Sequence, residues 1–215
     1  LPDAGDDDQV PARATEGAGM ALAGHVDLRP GVHARRDRNG YFGHLRPEAA
    51  LAARHPAQLA ALALVSTTPC FVQRHDWPHA MAPETLADFA QGLLSDPART
   101  IRRFVSLNAL GGPQARERTR ELAALVLDRG APSPAALAAG LAILRDADLR
   151  SDLGAITTPA QVIHGGRDML VPVGASRWLA QALPAAQFDE IADAAHLPFV
   201  SHADRVVAAL EQLHG

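Results

Sequence analysis

Two short segments hold residue types that could move a proton. The first is His164-Gly165-Gly166-Arg167-Asp168-Met169-Leu170-Val171-Pro172, and the second is Asp193-Ala194-Ala195-His196-Leu197-Pro198-Phe199. Each follows a segment that reads as a β-strand. Open parallel sheets collect their sites beyond the carboxyl ends of their strands, so an acid after one strand and a histidine after the next can meet there. Such a pair is a charge-oriented base. Asp168 would fix the tautomer of the His196 imidazole and stabilise the imidazolium formed when a proton is taken. Taken alone, each residue has an ordinary explanation. An aspartate after a strand commonly caps a turn, and among ten histidines most only satisfy hydrogen bonds. The order of the two, on consecutive strand ends, singles them out.

The elements that must position this pair are legible around it. Ala160–Gly165 is a strand ending in glycine, and residues 173–183 are a helix with Pro172 at its start. Residues 187–191 make a short strand. Residues 201–213 make a last helix, with Ser201 and Asp204 spaced as a capping box. Upstream, Leu59–Val65 is a continuous apolar run ending in Ser66-Thr67-Thr68-Pro69. That suits a buried parallel strand, although periodicity alone does not separate it from a helix. From about residue 82 to 147 the pattern is helical throughout, over 83–94, 97–110, 114–127 and 133–144. Strands alternating with helices in this order predict an α/β fold, a parallel sheet covered by helices.

Residues 1 to about 47 differ from the rest. They hold Asp6-Asp7-Asp8, Arg35-Arg36-Asp37-Arg38, seven glycines and four prolines, with no period of 2 or 3.6. They read as an atypical, flexible or loop-rich leader. Residues 48–54 then read as the rear of a helix, stopped near His55-Pro56.

Composition sets the outer bounds. In 215 residues, 47% are hydrophobic and 20% charged, enough apolar material for a sizeable core. A net charge of −4 makes no broad case for nucleic acid or an anionic membrane. No apolar run reaches the roughly 18–20 residues of a membrane span, and Leu1-Pro2-Asp3-Ala4 lacks the start of a signal peptide. The single cysteine, Cys70, excludes an intrachain disulfide framework and a cysteine-based zinc cluster. One thiol fits a reducing, cytoplasmic compartment. With no ligand-spaced His/Asp cluster and no dinucleotide glycine loop, neither metal nor organic cofactor is expected.

The motifs carry a resemblance. Gly-Gly-Arg-Asp168-Met-Leu-Val-Pro172 resembles the acid loop of α/β-hydrolases, and Ala-Ala-His196-Leu-Pro-Phe resembles their terminal histidine loop. Val65-Ser-Thr-Thr-Pro-Cys70-Phe71, followed by Trp77-Pro78, is more particular. It is similar to the pimeloyl-acyl-carrier-protein methyl ester carboxylesterases of biotin synthesis. So are Arg99-Thr100-Ile101-Arg102-Arg103-Phe104, Gly140 to Leu144 with Asp148-Leu149-Arg150, and Phe199-Val200-Ser201-His202. The resemblance covers roughly residues 48–215. It implies an α/β-hydrolase-like parallel sheet, with residues of about 82–147 as a helical lid. It implies a serine ester hydrolase with Asp168 as triad acid and His196 as general base. Phe104, Val105, Ser106, Leu107 and Asn108 would line the acyl channel. Arg99, Arg103, Arg116 and Arg120 would receive an acidic acyl-carrier protein. Spaced four apart within each pair, the arginines share a helix face. Without the resemblance they would be read as a solvated face.

One part of that family's pattern is missing. Its serine sits in a Gly-x-Ser-x-Gly elbow between a strand and a helix. None of Ser66, Ser95, Ser106, Ser133, Ser151, Ser176 and Ser201 is flanked in that way. Counting back from His55-Pro56 by the family's spacing reaches Gly40-Tyr41-Phe42-Gly43-His44, with Phe42 at the nucleophile's place. The early His-Gly loop and the early strands are likewise not recognisable. Cys70 follows the wrong strand and reads as a small buried residue, and Ser66 lacks the elbow. Little or no triad-based activity is therefore expected. The alternatives are a non-catalytic remnant that still binds carrier protein, and a general esterase or lactonase. All 20 basic residues are arginine, as a GC-rich gene would encode. A leader in a shifted frame, a mistaken start or a remodelled gene would each account for residues 1–47.

Overall fold

The computed structural model describes residues 25–28, 59–108, 115–128 and 133–213. The expected helix over 48–54, the elbow position at 40–44 and the rest of the leader lie outside the described residues. Among the described residues a four-stranded sheet runs in the order β1 (His25–Leu28), β2 (Leu59–Val65), β3 (Ala160–Gly165), β4 (Ala186–Ile191). The last three are parallel. Leu62 stands opposite Ala160, and Ile163 opposite Asp189. The apolar run of β2 thus resolves as a strand, buried on both faces as a parallel strand requires. β1 is antiparallel to β2, with Val26 opposite Leu62. Residues 25–28 carry no period that announces a strand, yet backbone pairing with β2 makes them one. Cross-strand context outweighs intrinsic preference in so short a segment.

Among the described residues four α-helices lie between β2 and β3: α1 (Pro83–Ser95), α2 (Pro97–Asn108), α3 (Ala115–Asp128) and α4 (Pro134–Asp146). Proline stands at the first turn of α1 and α4, where its missing N–H is not needed. Ser133 caps α4 by accepting from the Ala136 N–H at 3.2 Å. α1 packs on α2 and α4, and α2 packs on α3. After β3 comes α5 (Val173–Ala182), and after β4 come α6 (Pro198–Ser201) and α7 (Ala203–Glu211).

The predicted capping box at the final helix does not form. Pro198 starts a helical turn ahead of it, so Ser201 ends that turn instead of opening the next. Its hydroxyl lies against the Leu197 carbonyl at 3.3 Å and the His202 Nδ1 at 2.7 Å, and α7 starts after His202 without a side-chain cap.

Beneath the sheet, Leu59, Leu62, Leu64 and Val162 pack with Leu153, Ile156, Leu179 and Leu183. A second cluster ties the base of the four-helix segment to the sheet. It joins Cys70, Phe71, Val72 and Trp77 to Leu86, Leu144 and Val171. Trp77 donates its indole N–H to the Cys70 carbonyl at 2.8 Å and meets Trp178 edge-on at 5.1 Å. The two ends of the segment are fastened together by charge. Arg150 pairs with Asp148 at 2.7 Å and with Asp76 at 3.0 Å, while Arg74 reaches Asp148 at 3.4 Å. The four helices therefore leave and rejoin the sheet at one anchored point.

Candidate active site

β3 and β4 end side by side, and the loops beyond them are bonded to each other. The Gly166 N–H donates to the Ile191 carbonyl and the Arg167 N–H to the Ala194 carbonyl, both at 2.9 Å. The backbones approach so closely that a side chain at Gly165 would drive into the carbonyl oxygens of Ala194 and Ala195. Glycine is required here for lack of a Cβ, not for its dihedral freedom.

This contact brings Asp168 and His196 together. The His196 Nδ1 lies 2.8 Å from Asp168 Oδ2, and both side chains are almost fully buried. The carboxylate accepts only, so His196 Nδ1 carries the proton and Nε2 is the nitrogen able to take one. Asp168 Oδ1 accepts from the backbone N–H groups of Leu170 at 2.8 Å and Val171 at 2.9 Å. His164, at the end of β3, brings its Nε2 to 3.2 Å from Asp168 Oδ2. Burial by itself would push the Asp168 carboxyl up. The hydrogen bonds from His164 and His196, with the charges they can carry, overcome it and hold the group well below the usual carboxylate range. Asp168 is thus an ionised buried acid aimed at one histidine nitrogen.

The helical segment reaches the pair through the histidine loop. The Leu197 N–H donates to the Asn108 carbonyl at 3.1 Å, and Leu197 packs with Val105, Leu122 and Ala123. Of the five residues expected to line a channel, Val105 and Asn108 are buried and Phe104 is half-buried beside Phe89. Ser106 and Leu107 lie on the outer side of α2, and the Ser106 hydroxyl donates to its own helix at the Arg102 carbonyl. A helix turns about 100° per residue, so five consecutive positions cannot share one face. Arg99, Arg103 and Arg120 are exposed, and none is in an ion pair among the described residues. The Arg116 side chain lies outside the described residues.

Cys70 is buried, gives its thiol to the Val72 carbonyl at 3.3 Å and accepts from Arg74 at 3.2 Å. Its place is in the anchor of the helical segment. Ser66, at the end of β2, is a non-glycine residue with a left-handed φ of 51°, and its buried hydroxyl has no partner among the described residues. Among the described residues no group of His, Cys, Asp and Glu could hold a metal ion. Two contributors have no signature in the sequence. His164 is a histidine four residues before the acid, where the pattern shows only a strand end. The link from Asn108 to Leu197 runs through backbone atoms, which no side-chain pattern reports.

The profile of the alpha/beta hydrolase fold matches residues 49–203. The chain belongs to the α/β-hydrolase fold family. Among curated proteins it is 40% identical over 168 residues to the pimeloyl-[acyl-carrier protein] methyl ester esterase of Aromatoleum aromaticum, covering 76% of this chain and 67% of that one. It is 40% identical over 161 residues to the protein of that name from Chromobacterium violaceum, covering 75% and 63%. The α/β-hydrolase chain thus spans about two thirds of the length of these relatives. Solved structures agree on the fold. A bromoperoxidase from Bacillus anthracis superposes with a TM-score of 0.69 at 20% identity, covering 78% of this chain and 62% of that one. An esterase from Exiguobacterium antarcticum gives 0.67 at 18%, covering 78% and 63%. No helix among the described residues is long and apolar enough to cross a membrane.

Proposed function

We propose that the chain carries the acid–base pair and helical cover of a carboxylic ester hydrolase, with the methyl ester of a pimeloyl group on acyl-carrier protein as its substrate class. The observation that carries this is the buried Asp168–His196 pair, 2.8 Å apart on consecutive strand ends. In such chemistry His196 Nε2 takes the proton of the attacking group, and the ionised Asp168 stabilises the resulting imidazolium. The same proton then goes to the departing methoxide. Hydrolysis of the ester leaves a free carboxylate and methanol. The substrate assignment is supported by the names of the relatives that are 40% identical.

The nucleophile is the part of this reading for which the sequence offers no residue. No Gly-x-Ser-x-Gly occurs in it, and Phe42 stands where the spacing puts the serine. Removing a triad serine costs about 10⁶-fold in kcat in a well-studied protease. The expected rate on a short p-nitrophenyl ester is therefore the background rate, unchanged by His196→Ala. Steady-state hydrolysis by both proteins tests this, and a rate that falls on His196→Ala refutes the expected inactivity. A second reading, a carrier-protein binding module without turnover, is favoured by Arg99, Arg103 and Arg120, which are exposed and in no ion pair among the described residues.

A further inference from the structure

Two imidazoles, not one, converge on Asp168 Oδ2. His196 Nδ1 is 2.8 Å from it and His164 Nε2 is 3.2 Å from it. His164 is fully buried, and its Nε2 also lies 2.9 Å from the Val171 carbonyl. Both neighbours of that nitrogen are acceptors, so Nε2 must carry a proton. On the other side of the ring, Nδ1 lies 2.6 Å from the Ser176 hydroxyl of α5, which in turn lies 3.0 Å from the Thr67 carbonyl beyond β2. The ring is thus gripped at both nitrogens, by the acid loop at Nε2 and by α5 at Nδ1, with Thr67 behind Ser176.

Counting protons sharpens this. Ser176 has one hydroxyl hydrogen and two neighbours. If it donates to Nδ1, His164 is a neutral imidazole. If it donates to the Thr67 carbonyl, Nδ1 must itself be a donor and His164 is an imidazolium. In both arrangements Nε2–H points at the same carboxylate oxygen. The titratable groups at the ring are Asp168 directly and His196 through the shared oxygen; β2 and α5 bring only the Thr67 carbonyl and the Ser176 hydroxyl.

We propose that His164 is a positioning residue for the Asp168–His196 pair. By holding the same carboxylate oxygen it fixes the plane of the carboxylate and limits the charge that His196 can draw on. With Oδ1 held by Leu170 and Val171 and Oδ2 shared by two rings, every accepting direction of the carboxylate is used. Asp168 cannot turn away when His196 changes its protonation. The proposal rests on Asp168 and His196 forming an acid–base pair, but not on turnover.

The test is histidine NMR on the full chain, which does not need a substrate. A failure to hydrolyse esters would count against the proposed activity and leave this readout intact. In His164→Leu the second donor is gone, and the hydrogen-bonded His196 Nδ1–H signal is expected to move downfield as its bond to the carboxylate strengthens. His164→Gln can keep an N–H at the Nε2 position and is expected to stay near the native shift. His164→Asn keeps only the Ser176 side and should behave as the leucine variant does. Should the leucine variant fail to fold, Ser176→Ala removes one hydroxyl and should move the signal in the same direction by less. An unchanged signal in the leucine or alanine variant, or equal behaviour of the glutamine and leucine variants, overturns the proposal.

Discussion

Asp168 keeps its charge in a buried position because donors meet both of its oxygens: two backbone N–H groups on one, two imidazoles on the other. A carboxyl held below its ordinary value in the fold releases its proton more readily there than in the unfolded chain. The unfolded state then binds more protons, so stability rises with pH through this window. The contribution is fully present above the unfolded value of about 4 and is lost as pH falls below it. Asp168→Asn, which cannot titrate, is expected to lower stability at neutral pH by about 2 kcal/mol or more, since it leaves donors unmatched. Its denaturation midpoint should also change less than the native one between about pH 5 and pH 3. Urea unfolding across that range measures both. The sequence made this residue legible through its neighbours, Gly165-Gly166 before it and Pro172 after it. His164 was not legible in the same way. Its role depends on Ser176 and Thr67, which are distant in sequence and meet it only in the folded chain.

The strands and helices around the site were read from pattern with few errors, because apolar runs and prolines mark them directly. β2 and β3 fall where the apolar segments lie, β4 falls on the short strand candidate around Phe188 and Ile191, and α1 to α4 start at or near their proline signals. The misreadings share a cause. β1 is made by pairing with β2, and the last helix is divided because Pro198 begins a turn of its own. Neither effect is a local propensity. The loop-to-loop contact at Gly165 is another non-local feature, and it places the pair. Gly165→Ala would press a methyl group against the Ala194 and Ala195 carbonyls. The expected cost is about 2 kcal/mol or more, from forcing atoms into a packed region. The histidine loop must give way, so the hydrogen-bonded His196 Nδ1–H signal should weaken along with stability. Retention of both at native levels would show that the loops have more room than their backbone bonds imply.

Across the whole molecule, a net charge of −4 coexists with exposed arginines on the helical segment. Opposite charge on a partner steers encounter and fixes its orientation, and the effect weakens as salt screens it. If the helical segment receives an acidic carrier protein, Arg103→Glu with Arg120→Glu should lower affinity at least tenfold. The native affinity should itself fall as salt is raised from 50 to 300 mM, within the range where screening shortens to about one nanometre or less. Calorimetric titration with acyl-carrier protein checks both. Equal binding by the native and reversed chains would leave those arginines as a solvated face.

At this scale the resemblance was legible over roughly residues 48–215, and the family profile matches 49–203. The acid and histidine loops are compact motifs and could be found in the sequence. The resemblance implies a helical lid, but not which helices meet the histidine loop: Leu197 packs with Val105 of α2 and with Leu122 and Ala123 of α3, contacts that no local spacing encodes.

The central claim is that Asp168 orients His196 as a base, and imidazole ¹⁵N NMR of His196 tests it most directly. The His196 Nδ1 is expected to carry a hydrogen-bonded proton that is lost or displaced in Asp168→Asn. A ring protonated at Nε2, or one indifferent to Asp168→Asn, would contradict it.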